Sequence, residues 1–179
     1  MNKLDRDYLE LVKEILKAPK KENRTGISTY AIACWSIKHN MADGFPLLTT
    51  KKVPMKVLAA ELEGFIKGIS SKKWFQDRNC HIWDEWANPK KVPYGHDEET
   101  KKKMLEEDDL GRIYGVQWRD WMGNIDQIKK VVETLKTNPF DRRMIVNAWN
   151  PSELVQMALP PCHYSWQVIV TINEQGEKV

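Results

Sequence analysis

The feature that most constrains this chain is that its apolar residues keep changing period. Tyr8, Leu9, Val12, Ile15 and Leu16 recur at helical spacing, and Ala18-Pro19 closes that helix. A second helix is expected from Met55 to Lys67, with Val57, Leu58, Leu62, Phe65 and Ile66 on its apolar side. A shorter one follows from Ser71 to Asp77. Another is expected after Asn124, read as its cap, with Ile125, Ile128, Val131, Val132 and Leu135 in phase. Between these lie β-branched and aromatic runs that read as strands: Thr29 to Lys38, Met144 to Trp149 and Tyr164 to Ile172. Asp43-Gly44 reads as a turn, and Asn150-Pro151-Ser152-Glu153 as the start of a short helical turn. Helices and strands must therefore pack on one another, but periodicity does not say in which topology.

No repeat and no linker divides the 179 residues, so a single domain, 1–179, is expected. One stretch differs. Asn88 to Asp109 is rich in Lys, Glu and Asp and reads as an inserted loop carrying a solvated helix. At the end, Val168 to Ile172 runs into the turn Asn173 to Glu177. Lys178 and Val179 then read as the start of a return strand, which would leave a strand edge unpaired and points to a truncated chain.

A hydrophobic fraction of 41% is enough for a core. The net charge of +3 suits a protein that binds small anions and does not by itself argue for nucleic acid. The three cysteines, Cys34, Cys80 and Cys162, are far apart and form no CxxC pair, which speaks against zinc. Their odd number, and a start with no apolar leader, point to a reducing, cytoplasmic setting. No stretch is apolar enough to span a bilayer.

Several residues are suited to chemistry. Pro160-Pro161-Cys162-His163 fixes the backbone just before a thiol, as a nucleophile needs, although Cys162 also reads as a small core residue entering a strand. The pair Arg142-Arg143 offers planar donors that suit a phosphate, or forms a solvated turn. Arg24, in the loop Glu22 to Gly26, has the same two readings. Glu61 lies within an apolar stripe. Partial burial would raise its pKa and fit it for proton transfer; otherwise it points out at the stripe's edge. Trp83, Asp84, Glu85 and Trp86 either stack on a flat heterocycle or pack the core.

Taken in order, these signals resemble one family. Asp141-Arg142-Arg143, Ala148-Trp149-Asn150-Pro151 and Met157 to His163 closely resemble the active-site signature of thymidylate synthases. Asn23 to Gly26, Asp43 to Pro46 with Thr49 to Lys52, Ile82 to Trp86, and Tyr114 to Arg119 agree in sequence and order. The resemblance covers nearly the whole chain outside the charged insert.

The resemblance implies an α+β fold: a large mixed sheet in a two-layer arrangement, with helices on one face and the dimer interface on the other, incomplete at the C-terminus. It implies reductive methylation of dUMP to dTMP by 5,10-methylenetetrahydrofolate, without metal. Cys162 is then the nucleophile for C6 of uracil, and Glu61 organises proton transfer. Tyr114 belongs to the hydrogen-bond network and His163 supports the thiol. Arg24 matches a phosphate ligand. Arg142 and Arg143 match the pair that reaches the phosphate of the neighbouring subunit, so a homodimer is implied. Ile82, Trp83 and Trp86 match positions lining the folate pocket. Neither a membrane nor a specific nucleic acid is expected as a partner. Departures fall on the folate side, at Pro54, Glu63 and Gly64 and in the longer insert. The chain also stops before the family's second half, so a fragment with little activity is expected. A pyrimidine-nucleotide hydroxymethylase and a non-catalytic binding protein of the same fold are the competing readings.

Overall fold

The computed structural model describes residues 2–23, 26–88 and 97–179. They form two compact units, Met1–Pro54 and Met55–Val179.

In the first unit, α1 spans Lys3–Lys17 and starts earlier than its apolar stripe. The reason is a capping box. The Asn2 side chain accepts from the Asp5 amide (2.7 Å) and Asp5 accepts from the Asn2 amide (3.3 Å). Ala18 ends the helix in an extended conformation, as a residue before proline prefers. Asp5 is also the unit's buried carboxylate. It takes the Thr49 hydroxyl and, at 2.7 Å, the Thr49 amide, and these bonds hold it below the ordinary carboxylate range. Strand β1, Lys20–Lys21, pairs antiparallel with β2, Thr29–Tyr30. The strand expected over Thr29 to Lys38 thus shrinks to two residues, because β propensity alone cannot sustain a ladder without a neighbour. A single 3-10 turn, Met41–Asp43, makes the expected reversal and ends at Gly44.

The second unit contains α2 (Met55–Lys67), α3 (Lys72–Gln76), α4 (Glu98–Glu106), α5 (Tyr114–Arg119) and α6 (Gln127–Thr137). It also contains β3 (Ile145–Asn147) and β4 (Ser165–Gln167), paired antiparallel with Val146 opposite Trp166. Ser71 caps α3, so its expected range holds. Asn124 does not cap α6; Asp126 does, accepting from the Lys129 amide at 2.8 Å. Asn124 and Ile125 belong instead to a tight turn closed by Trp121.

The core is built from Phe65, Phe75, Leu110, Ile113, Met144, Val146 and Met157, with Trp166, Val168 and Val170 packed against it. Alternation along the ribbon gives it two faces. Val146 points to the helices, whereas Ile145, Asn147, Ser165, Gln167 and Ile169 are exposed. Helices α5 and α6 both contact β3. The fold is therefore α+β. Among the described residues the sheets are two-stranded and antiparallel rather than one large mixed sheet.

Of the charged insert, residues 89–96 lie outside the described residues. Helix α4 carries Lys–Glu pairs on its solvated side, as expected, but Met104 is only 1% exposed. One methionine anchors a helix that its composition presents as wholly solvated. At the chain's end Thr171 and Val179 exchange backbone hydrogen bonds (2.8 and 2.9 Å), so the expected turn does close a hairpin. Among the described residues no helix is long and apolar enough to cross a membrane.

Candidate active site

The site begins with a close helix crossing. Gly115, the second residue of α5, lies against α2; a Cβ there would stand 2.5 Å from Phe65 Cα. Only glycine allows that approach. It sets the Tyr114 ring in a stack on Phe65, 4.9 Å between centroids.

Pro160 and Pro161 have no N–H to give. The first amide after Leu159 is that of Cys162, and it donates to the Tyr114 Oη at 2.7 Å. Pro161 is buried while Cys162 is exposed, so the chain emerges from the core at the thiol. His163 lies on the other ring neighbour of the cluster, stacked on Tyr114 at 4.2 Å and 22°. Phe65 and Trp118 approach the imidazole at 6.0 and 6.1 Å.

Glu61 stands one helical turn before Phe65 on α2, and its Oε1 accepts from the Trp83 indole N–H at 3.0 Å. The carboxyl is half-buried, not turned out at the stripe's edge. Burial pushes its pKa up, while the indole hydrogen bond pulls it down. Trp83 is 2% exposed and meets Phe65 and Tyr114 edge-on at 6.1 and 6.2 Å, so its ring packs the core. Trp86 is partly buried against that core, and Ile82 is half exposed.

The electrostatics favour neutral partners around the thiol. Burial pushes the Tyr114 phenol up to about 12; the Cys162 amide opposes this, and the Cys162 side chain and Glu61 add to it. Burial pushes His163 down, so its imidazole is neutral at neutral pH. The other cysteines differ. Cys80 is fully buried, which raises its pKa and makes it unreactive, and Cys34 is exposed in the first unit. No group of three potential metal ligands occurs among the described residues.

The expected residues are thus partly brought together. Cys162, Tyr114 and His163 touch, and Glu61 joins them through Trp83. Arg142 and Arg143 do not join the cluster. They sit in the turn before β3, where the Asp141 carboxylate accepts the Arg143 amide at 2.8 Å and the Arg142 carbonyl accepts from Gln167 at 2.7 Å. Both side chains are exposed, and no ion pair is made to either among the described residues. Arg24 lies outside the described residues. Sequence reasoning gave Phe65 only a core position and Trp118 no role, yet both frame the histidine. Their separation from it, in sequence, left no local signal.

An exposed thiol, a neutral phenol and imidazole, and a carboxyl with a raised pKa form a set suited to covalent attack on a planar acceptor with proton transfer nearby. Comparison with known proteins agrees with this chemistry. A family model described as thymidylate synthase matches residues 6–178 and so runs through both units. A thymidylate synthase of Mesoplasma florum is 44% identical over 179 residues, covering 93% of this chain. The chain spans 62% of that relative's length.

Proposed function

Because this chain belongs to the thymidylate synthase family, we propose that it serves the reductive methylation of dUMP to dTMP with 5,10-methylenetetrahydrofolate, using Cys162 as nucleophile. The observation that carries this is the Cys162 amide donating to Tyr114 while the thiol stays exposed. The sulfur lone pair forms a bond to C6 of the uracil. The C5–C6 π pair then moves towards C5 and O4, and C5 becomes a carbon nucleophile. Once C5 carries the one-carbon unit its proton leaves to a base, and later expulsion of the thiolate from C6 re-forms the C5–C6 double bond.

Tyr114, neutral across the physiological range, fixes the backbone of the nucleophile. His163, also neutral, covers one side of that phenol. Glu61 holds a proton more readily than an ordinary carboxylate because burial raises its pKa, which suits it to proton transfer. The folate, when bound, supplies the one-carbon unit and a hydride. The half-exposed Ile82 and partly buried Trp86, on the segment that delivers Trp83 to Glu61, give this side of the site an apolar surface that fits a flat heterocycle. We assign the folate-facing surface to Ile82 and Trp86; Trp83, 2% exposed, packs the core instead and meets the site through its hydrogen bond to Glu61.

The phosphate is assigned to Arg24, with Arg142 and Arg143 reaching the site of a second copy. The exposure of Arg142 and Arg143, without ion pairs among the described residues, supports the second part of this assignment. So does the exposed ribbon face beside them, where Ile145, Trp149 and Ile169 are 44%, 44% and 62% exposed. A homodimer with a larger sheet, helices on one face and the partner on the other, is the assembly that would cover that face. Free thiols at Cys34, Cys80 and Cys162 fit a reducing cytoplasm.

Product analysis tests the proposal. Protein expressed from its complete reading frame, given dUMP and 5,10-methylenetetrahydrofolate, is expected to form dTMP and dihydrofolate, the latter read by absorbance. Tetrahydrofolate released with hydroxymethyl-dUMP would overturn it.

A further inference from the structure

Gly64 lies in the interior of α2, where glycine lowers helix stability. Here it has a packing reason. A Cβ at 64 would stand 2.6 Å from Phe75 Cζ and 3.0 Å from Trp74 Cζ3. The ring of Phe75, from α3, occupies the space that a side chain at 64 would need. Phe75 is fully buried. Its placement is fixed by the Ser71 cap at the start of α3 and by the Cys80 amide donating to the Phe75 carbonyl at 3.0 Å.

From that seat Phe75 meets Trp83 at 6.3 Å and Phe65 edge-on at 6.3 Å. Trp83 thus has three aromatic neighbours: Phe65, Phe75 and Tyr114. Two of them also contact the thiol loop or its histidine. Phe75 does not; it touches the cluster only through Trp83 and Phe65. Glu61 and Gly64 are three residues apart on one face of α2. The hole at 64 and the carboxyl at 61 therefore open towards the same indole.

We infer that Phe75, seated in the hole left by Gly64, is a positioning residue that holds the Trp83 indole so that its N–H stays on Glu61. This rests on the reading of Glu61 as the proton-transfer carboxyl. It adds two residues from outside the site as determinants of that carboxyl's state. The titratable groups that face Glu61 are Tyr114 and Cys80, both buried and pushed towards their neutral forms by burial. The Trp83 hydrogen bond is accordingly the main influence stabilising its charged form.

The test is nuclear magnetic resonance on the free protein, reading Trp83 indole N–H exchange and the Glu61 carboxyl titration. Trp83→Phe, which removes the donor and keeps an aromatic ring, sets the reference: the Glu61 midpoint should rise. Phe75→Leu should speed indole exchange by about tenfold and move the Glu61 midpoint in the same direction. Adding Gly64→Ala to Phe75→Leu puts a methyl where the ring edge was, and both readings should return towards wild type. Gly64→Ala alone should disturb both. Phe75→Met, closer in volume, is read in the same way should Phe75→Leu not fold. The inference is overturned if the Phe75 variants lose thermal stability yet keep wild-type exchange and titration. It is equally overturned if the Gly64 and Phe75 changes add instead of compensating. No substrate enters these measurements, so their failure leaves the dUMP assignment standing, and failure of dUMP turnover leaves them readable.

Discussion

Tyr114→Phe removes one oxygen from the centre of the cluster, and its consequences can be worked out. The stacks on Phe65 and His163 survive, since the ring is unchanged. The Cys162 amide loses its acceptor. Cys162 is exposed, so water can replace part of that bond, and the loss at neutral pH should be about 1 kcal/mol. The alkaline side behaves differently. The Tyr114 pKa rises from 10.0 to about 12 in the folded protein. The folded state holds this proton more tightly than the unfolded chain does. Its contribution is therefore fully present below pH 10 and is lost as pH climbs through 12. Two units at 1.36 kcal/mol each give a loss of about 3 kcal/mol. Lysines and other tyrosines titrate in the same window, but they are common to both proteins. Urea unfolding of wild type and Tyr114→Phe at steps from pH 7 to 12 isolates the difference. The wild type should start about 1 kcal/mol more stable, and above pH 10 that lead should vanish and then reverse, leaving Tyr114→Phe the more stable by about 1–2 kcal/mol as pH reaches 12. Curves that stay parallel across the range would refute a buried, protonated Tyr114.

Three further substitutions probe the scaffold by equilibrium unfolding. Gly115→Ala forces a methyl onto the α2 backbone at Phe65 and should cost about 1–3 kcal/mol, with faster alkylation of Cys162 as Tyr114 shifts. Gln127→Ala should cost about 3 kcal/mol, because that buried side chain donates to the Gln117 and Asn147 carbonyls and accepts the Asn147 amide. Met104→Ala should cost about 2 kcal/mol and raise hydrogen exchange in α4 far more than in α6, since Met104 is the buried apolar anchor of α4.

The long amphipathic elements were legible from sequence. The helix over Met55 to Lys67 was legible at both ends, but most of its apolar stripe is not its buried side: Leu58, Leu62 and Ile66 are 39%, 47% and 48% exposed, whereas Ala60, Gly64 and Phe65 are buried. Helix α5 gave no such signal. Four of its six residues, Tyr114, Gly115, Gln117 and Trp118, are buried, so it has too little polar face to show a period. The thiol was legible because two prolines precede it in the chain. The Glu61–Trp83 bond joins residues 22 apart and could be anticipated only as a choice between burial and exposure. The reason for Gly64 was not legible, since the ring that fills its place comes from α3. Asn124 was misread because Asp126, two residues on, meets the Lys129 amide and leaves Asn124 to a turn.

The central claim is that Cys162 is the residue that bonds to the nucleotide. Mass spectrometry of the protein, expressed from its complete reading frame and incubated with 5-fluoro-dUMP and 5,10-methylenetetrahydrofolate, tests it most directly. A covalent adduct mapped to the peptide containing Cys162, and absent in Cys162→Ser, is predicted. A folded protein that stays unlabelled, or carries the label on Cys34 or Cys80, would contradict it.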